Sequence, residues 1–304
     1  MVGMAILSVI AGCNSAIYDD LSECPQGIDF KFYRQTPCES HPTYPSEFKQ
    51  VKIFAFDGDG VLAGEFTDEH INLSADYQLS VLLPHIENFT FVAWGGEHLE
   101  DYRFSSFEKG KTRKEDMLLS LLHEGEKRKP SPLYWGTCKA PANAGIHENE
   151  GTVYETVAFH MEEMTNRVRL TVKGLSKSDS YAVLVTDDND RYNFAGNFSP
   201  STPFDYIPVL QKENTVLHAN FTLMKIAEKQ DIQLSIINTT TGKTIYTADL
   251  VDDLIMYRSE SGEPPYSLTC THDFEIVLTI ENHALVRAVV NDWNIISRPV
   301  ELDT

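Results

Sequence analysis

What most constrains this chain is the recurrence of short segments in which apolar and polar side chains alternate. Residues 27–33 read GIDFKFY, 51–56 VKIFAF, 78–83 QLSVLL and 88–94 NFTFVAW. The pattern returns at 167–173, 180–185, 232–237 and 274–280. Successive side chains of a strand point to opposite faces, so a period of two rich in β-branched and aromatic residues predicts half-buried strands. Gly, Asn, Asp and Pro punctuate the runs. Asp57-Gly-Asp-Gly60 and residues 239–243 supply the residues that tolerate positive φ in hairpin turns. Strands at this density predict an all-β chain, built as sandwiches or barrels.

One segment breaks the pattern. Residues 114–123, KEDMLLSLLH, carry apolar side chains at helical spacing and predict a short helix in a connection between sheets. A chain of 304 residues favours two domains. The stretch 139–151 reads as a junction, and strand patterning restarts at 152–159. The expected division is therefore 25–151 and 152–304, each half long enough for one sandwich.

The first residues carry a separate message. Ala5–Gly12 is a short apolar run with small residues immediately before Cys13. Small side chains let a signal peptidase reach the backbone, and the cysteine thiol can then carry lipid. Residues 1–12 are read as a lipoprotein signal peptide, although Met1–Met4 lacks the usual basic residues. Cys13 is read as the lipidated residue, and 13–24 as a tether. No run approaches the ~18 apolar residues of a membrane span, so acyl chains would be the membrane anchor.

The 45 acidic and 25 basic residues give a net charge of −20. Such a surface excludes nucleic acid as a partner and argues against electrostatic docking to anionic lipid. With Cys13 lipidated, Cys24, Cys38, Cys138 and Cys270 remain, and export makes disulfides possible. The preferred pairing joins Cys24 with Cys38 or with Cys138, since all three lie in the first half. No CxxC-type spacing suggests zinc.

Several segments taken together resemble a known family. DLSECPQG at 20–27, VKIFAFDGDG at 51–60, FVAWGG at 91–96, MTNRVRLTVKG at 164–174 and AVVNDWN at 288–294 follow one another as in the FimB-like fimbrial anchor lipoproteins of Bacteroidales, the fimbrillin-associated anchor proteins. The resemblance covers nearly the whole chain. It implies two tandem transthyretin-like Greek-key β-sandwiches and no enzymatic activity. It further implies an outer-membrane, lipid-anchored location facing the exterior. The role would be to anchor, and to limit the length of, a polymeric fimbria by β-strand complementation with a fimbrial subunit. Few residues follow Trp293, so the chain is expected to offer a groove or edge rather than a long donor strand. A surface glycan-binding lipoprotein is the alternative.

Other motifs are weaker. Asp57 and Asp59 imitate the first motif of haloacid-dehalogenase-type phosphatases, with Asp187 and Asp188 imitating its later acidic motif. That fold needs βα alternation, which this sequence lacks. Asp57, Asp59, Asp187, Asp188 and Asp190 do not complete a calcium loop and read as solvated turn acids. His41, His70, His85, His98 and His123 are scattered, no cofactor or metal is expected, and no GxSxG or GxGxxG occurs. The aromatics Tyr18, Phe30, Phe32, Tyr33, Phe54, Phe56, Phe89, Phe91 and Trp94 read as core. Trp135 is expected either to cap the first core or to lie at the interdomain seam.

Overall fold

A computed structural model describes residues 26–83, 88–122, 127–141, 152–199, 201–257, 266–281, 284–296 and 300–301. Cys13, Cys24, His85 and His123 lie outside them. The strands of the first half are β1 (Gln26–Tyr33), β2 (Gln50–Phe56), β3 (Leu62–Asp68), β4 (Leu79–Leu82), β5 (Thr90–Gly96), β6 (Tyr102–Phe104), β7 (Leu118–Leu121), β8 (Lys127–Arg128), β9 (Leu133–Lys139), β10 (Val153–His160) and β11 (Glu162–Glu163). Those of the second are β12 (Thr165–Lys173), β13 (Tyr181–Asp187), β14 (Arg191–Asn193), β15 (Phe204–Tyr206), β16 (Val209–Glu213), β17 (Val216–Met224), β18 (Gln233–Asn238), β19 (Lys243–Asp249), β20 (Asp273–Glu281), β21 (Ala284–Val290), β22 (Trp293–Ile296) and β23 (Val300–Glu301). A helical turn at Leu250–Ile255 is capped by Asp249, whose carboxylate accepts from the amides of Val251 and Asp252.

In the first half a β10-β1-β4 sheet faces a β11-β9-β5-β2-β3 sheet. Between them lie Ile28, Phe30 and Phe32 of β1, Ile53 and Ala55 of β2, and Phe91 of β5. In the second half β16-β17-β12-β20-β21-β22, with β23 also on β21, faces β19-β18-β13-β15-β8. Val168, Leu170 and Val172 of β12 point inward with Leu217, Ala219 and Phe221 of β17. In both halves the leading strand pairs in parallel with a late one, β1 with β10 and β12 with β20.

The sheet carrying β2, β5 and β9 is buried on both faces. Val51, Ile53, Phe91 and Ala93 face the first core, while Phe54, Phe56, Val92 and Trp94 belong to the second. A β14-β7-β6 sheet takes strands from both halves, because β14 pairs with β7. β15 likewise pairs with β8. The halves are thus hydrogen-bonded to each other, and the second core draws apolar side chains from both.

Three expectations are corrected. The helix over 114–123 is a single tight turn at Lys114–Asp116 followed by β7, with His123 outside the described residues. Leucines at 118, 119 and 121 satisfy either period, and pairing with β6 and β14 decides for the strand. The division at 151/152 fails because β10 pairs along all of β1, and Val157 and Phe159 fill the first core. The change of sandwich falls between β11 and β12. The expected Cys24 pairing fails because Cys38 is bonded to Cys270, 232 residues away, while Cys138 is free. Sequence proximity misled here because the fold brings the loop after β1 beside the segment before β20.

A bridge over so long a loop removes much unfolded-state entropy. Cys38→Ser and Cys270→Ser should each lower stability by about 2–4 kcal/mol, whereas Cys138→Ser should change it little. Urea unfolding measures this, and wild-type stability in both bridge variants would contradict the pairing.

Candidate functional site

The tempting acidic motif is a turn. Asp57 Oδ1 accepts from the amides of Asp59 at 3.0 Å and Val61 at 2.9 Å, closing the β2–β3 hairpin. A carboxylate committed to its own turn, followed by an antiparallel strand, is not set up as a nucleophile on a phosphatase sheet. Asp187 and Asp190 are buried rather than solvated. Asp187 Oδ1 accepts from the amides of Asp188 and Asn189 and from Gln230 Nε2, and its Oδ2 accepts from Tyr206 Oη at 3.2 Å. Asp190 pairs with Arg191 Nε at 3.0 Å. Among the described residues no three His, Cys, Asp or Glu side chains are grouped to hold a metal. His41, His70 and His98 are exposed and far apart in sequence. Of the aromatics, Phe30, Phe32, Phe54, Phe56, Phe91 and Trp94 are buried, as expected for core.

Trp135 lies at the seam between the halves. Its ring is 6.5 Å from that of Trp94 and packs on Gly196 of the second half. Gly196 has φ +78°, and a Cβ there would stand 2.8 Å from the Trp135 ring, so glycine is required on both counts. Trp94 stacks on Tyr192, whose hydroxyl donates to Met164 O and accepts from Lys225 N.

Beside the disulfide sits a charged joint. Arg34, in the loop after β1, lies 3.3 Å from buried Glu163, and Arg167 Nη1 donates to Glu163 at 2.6 Å. Arg34 Nε is within ion-pair range but too poorly aligned to count as a hydrogen bond. Arg167 also grips Asp273 with two bonds of 2.7 and 2.8 Å. Burial pushes the Glu163 carboxyl up against the pull of both arginines. The bonds from Arg167 hold Asp273 below its ordinary value. His272 is lowered to about 4, by burial first and by Arg34, Lys225 and Arg167 second, and is neutral at pH 7. The joint borders a cavity of about 160 Å³. It fastens the first half to β12 and β20 and presents no nucleophile beside a base.

One sheet edge is open and apolar. β16 ends its sheet, and Val209 and Leu210 within it are 57% and 42% exposed. A cleft of about 740 Å³ opens at its upstream end, bordered by Ile207 and Thr222. Neither β16 nor the Cys270 partnership was legible in sequence. Adjacent Val209 and Leu210 lack alternation, and no local signal marks a contact across 232 residues.

A sequence profile of the family described as fimbrillin-A associated anchor proteins Mfa1 and Mfa2 matches residues 21–298. The minor fimbrium anchoring subunit Mfa2 of Porphyromonas gingivalis is 28% identical over 312 residues, covering 98% of this chain and 94% of that protein. The solved structure of the fimbrial anchor protein Mfa2 from Porphyromonas gingivalis superposes with a TM-score of 0.75 at 26% identity, over 90% of this chain and 100% of that one. A candidate polysaccharide binding protein from Bacteroides thetaiotaomicron gives 0.73 at 20% identity, over 90% and 97%, a likeness of fold.

Burial raises the Asp187 carboxyl from 3.8 to about 6 despite its four donors. The native state therefore holds a proton that the unfolded chain releases between these values. The stability this gives is complete below pH 3.8 and is lost as pH rises through 6. The advantage of wild type over Asp187→Asn should shrink by about 3 kcal/mol from pH ~3.5 to pH ~7. Urea unfolding at the two pH values reads it, and a constant difference would show that Asp187 titrates normally.

Proposed function

The chain belongs to the fimbrillin-A associated anchor proteins, and from that premise we propose that it is a lipoprotein of the outer membrane, facing the exterior and holding a fimbria to the cell. The observation that carries the proposal is the order of features at the N-terminus. Ala11-Gly12-Cys13 ends an apolar run, a dozen or so residues ahead of β1, and the family match begins at residue 21. Acyl chains on Cys13 would supply the membrane hold. No helix among the described residues is long and apolar enough to cross a membrane.

The partner is a fimbrial subunit, joined by β-strand complementation. An extended segment adds to a sheet, main-chain hydrogen bonds supply strength and alternate side chains supply register. Ending a polymer on a lipidated subunit would also limit its length. The two sandwiches are of the transthyretin-like Greek-key type, and the role is structural rather than enzymatic.

Cys13→Ala should move the protein from the membrane fraction to the medium and leave fimbriae shed or abnormally long. Fractionation with electron microscopy checks both, and mass spectrometry of the wild-type protein should find acyl chains on Cys13. Cell-bound protein and normal fimbriae in the variant would refute the tether.

A further inference from the structure

We propose that the free edge of β16, together with the cleft at its upstream end, is where an extended segment of the fimbrial subunit docks. This rests on the anchor reading above and assigns it a surface. β16 pairs with β17 from Val209↔Asn220 to Glu213↔Val216 and with no other strand among the described residues. Its outer side is a row of main-chain donors and acceptors ready to pair with a further strand.

Both faces of this strand are open. Neighbouring residues of a strand point to opposite faces, and Val209 and Leu210 are both largely exposed, with Ile207 continuing the apolar surface at 37%. Free edges are ordinarily guarded by an outward lysine, a proline within the strand or a bulge. Here the single cation, Lys212, is drawn back onto its own sandwich. Its Nζ donates to Lys177 O at 3.0 Å and lies 5.6 Å from the centre of the Tyr181 ring. Pro208 precedes the strand rather than interrupting it, and the β16–β17 register has no shift. The acid of β16, Glu213, stands at its downstream end and accepts from Gln211 Nε2, which leaves the Val209–Leu210 end uncharged. Of two other edges, β3 carries Glu65, bound to Lys52, and Asp68, and β4 is only four residues long.

The edge also leads somewhere. β16 begins opposite Asn220, while β17 runs on to Met224, so Thr222 borders the cleft beyond the start of β16. A segment laid along β16 can continue into that cleft. Its walls bring three carboxylates, Glu97, Glu100 and Asp101, against two cations, Arg103 and Lys129. His98 there pairs with Glu100 at 3.2 Å. The excess of acid suits a lysine or arginine at the end of the incoming strand. A second copy of this chain is a poor occupant, because two bodies of net charge −20 repel. The occupant is a different protein, presenting an extended segment with apolar side chains over Val209 and Leu210 and a basic residue at the cleft.

The test uses the full-length chain and fimbriae sheared from the native host. A photo-crosslinker at Val209 or Gln211 should capture a fimbrial subunit, whereas one at Thr247 on the β19 edge should not. Val209→Lys and Leu210→Lys place guarding charges on the edge and should weaken fimbrial binding at least tenfold with an unchanged unfolding midpoint. Leu210→Pro, which removes a main-chain donor, serves as a second variant. Wild-type binding by both lysine variants, or capture from Thr247 instead of β16, would overturn the assignment while leaving the anchor reading in place. Absence of fimbrial binding by the wild-type chain would overturn both.

Discussion

The structure depends on one sheet that has to be apolar on both faces. β2, β5 and β9 send Ile53, Ala55, Phe91, Ala93 and Tyr134 into one core and Phe54, Phe56, Val92, Trp94 and Leu133 into the other. Each large side chain so buried contributes about 1.5–3 kcal/mol, so the layer stabilises both sandwiches at once. A one-residue slip of register would drive the phenylalanines of one core into the space of the other, where Phe30, Phe32 and Phe159 already pack ring against ring. Register is therefore fixed from two sides. Trp94 extends the constraint outward, because its stack on Tyr192 sets the position of β14, and β14 is hydrogen-bonded to β7.

The charged joint plays a different part. Withdrawing Glu163 and its arginines from water costs more than exposed ions would, and paired buried ions seldom add much net stability. What they add is geometry. Glu163 can satisfy Arg34 and Arg167 together only when the loop after β1 lies against β12, and Arg167 meets Asp273 only when β20 is in parallel register with β12. Cys38–Cys270 makes the same connection covalently. Apolar packing brings the halves together, and the ions and the bridge select one alignment.

Strand positions were largely readable, because period-two burial is a local property of the chain. The segments at 27–33, 51–56, 167–173 and 274–280 became β1, β2, β12 and β20 within a residue or two. The alternation of VKIFAF predicts a half-buried strand, yet β2 is covered on both faces, because local pattern does not say which partner lies against each face. Long-range relations stayed hidden for the same reason. The parallel pairing of β10 with β1 moved the boundary of the halves, and the leucines of β7 fitted two periods until their neighbours chose one. The acids at 187 and 190 looked like turn residues because their burial comes from β15 and the seam, far along the sequence. β16 hid for the opposite reason: with neither face buried it has no alternation to display.

These relations meet in the way the molecule would carry load as an anchor. With the proposed tether at the N-terminus and the proposed partner strand on β16, the pull would enter at β1 and at the far edge of the other sandwich. From β16 the sheet passes force through β17 and β12 to β20 by continuous hydrogen-bonded ladders. From β20 one route back to β1 is covalent, through Cys270–Cys38, three residues ahead of Asp273 and five beyond Tyr33. Arg167 and Glu163 run beside it between the same two points. Hydrogen bonds at β14–β7 and β15–β8 can open one at a time, whereas a covalent link cannot be peeled. The disulfide thus adds a second covalent tie, from the end of the first strand to the start of a central strand of the second sandwich, to the main-chain link that runs from β10 through β11 into β12.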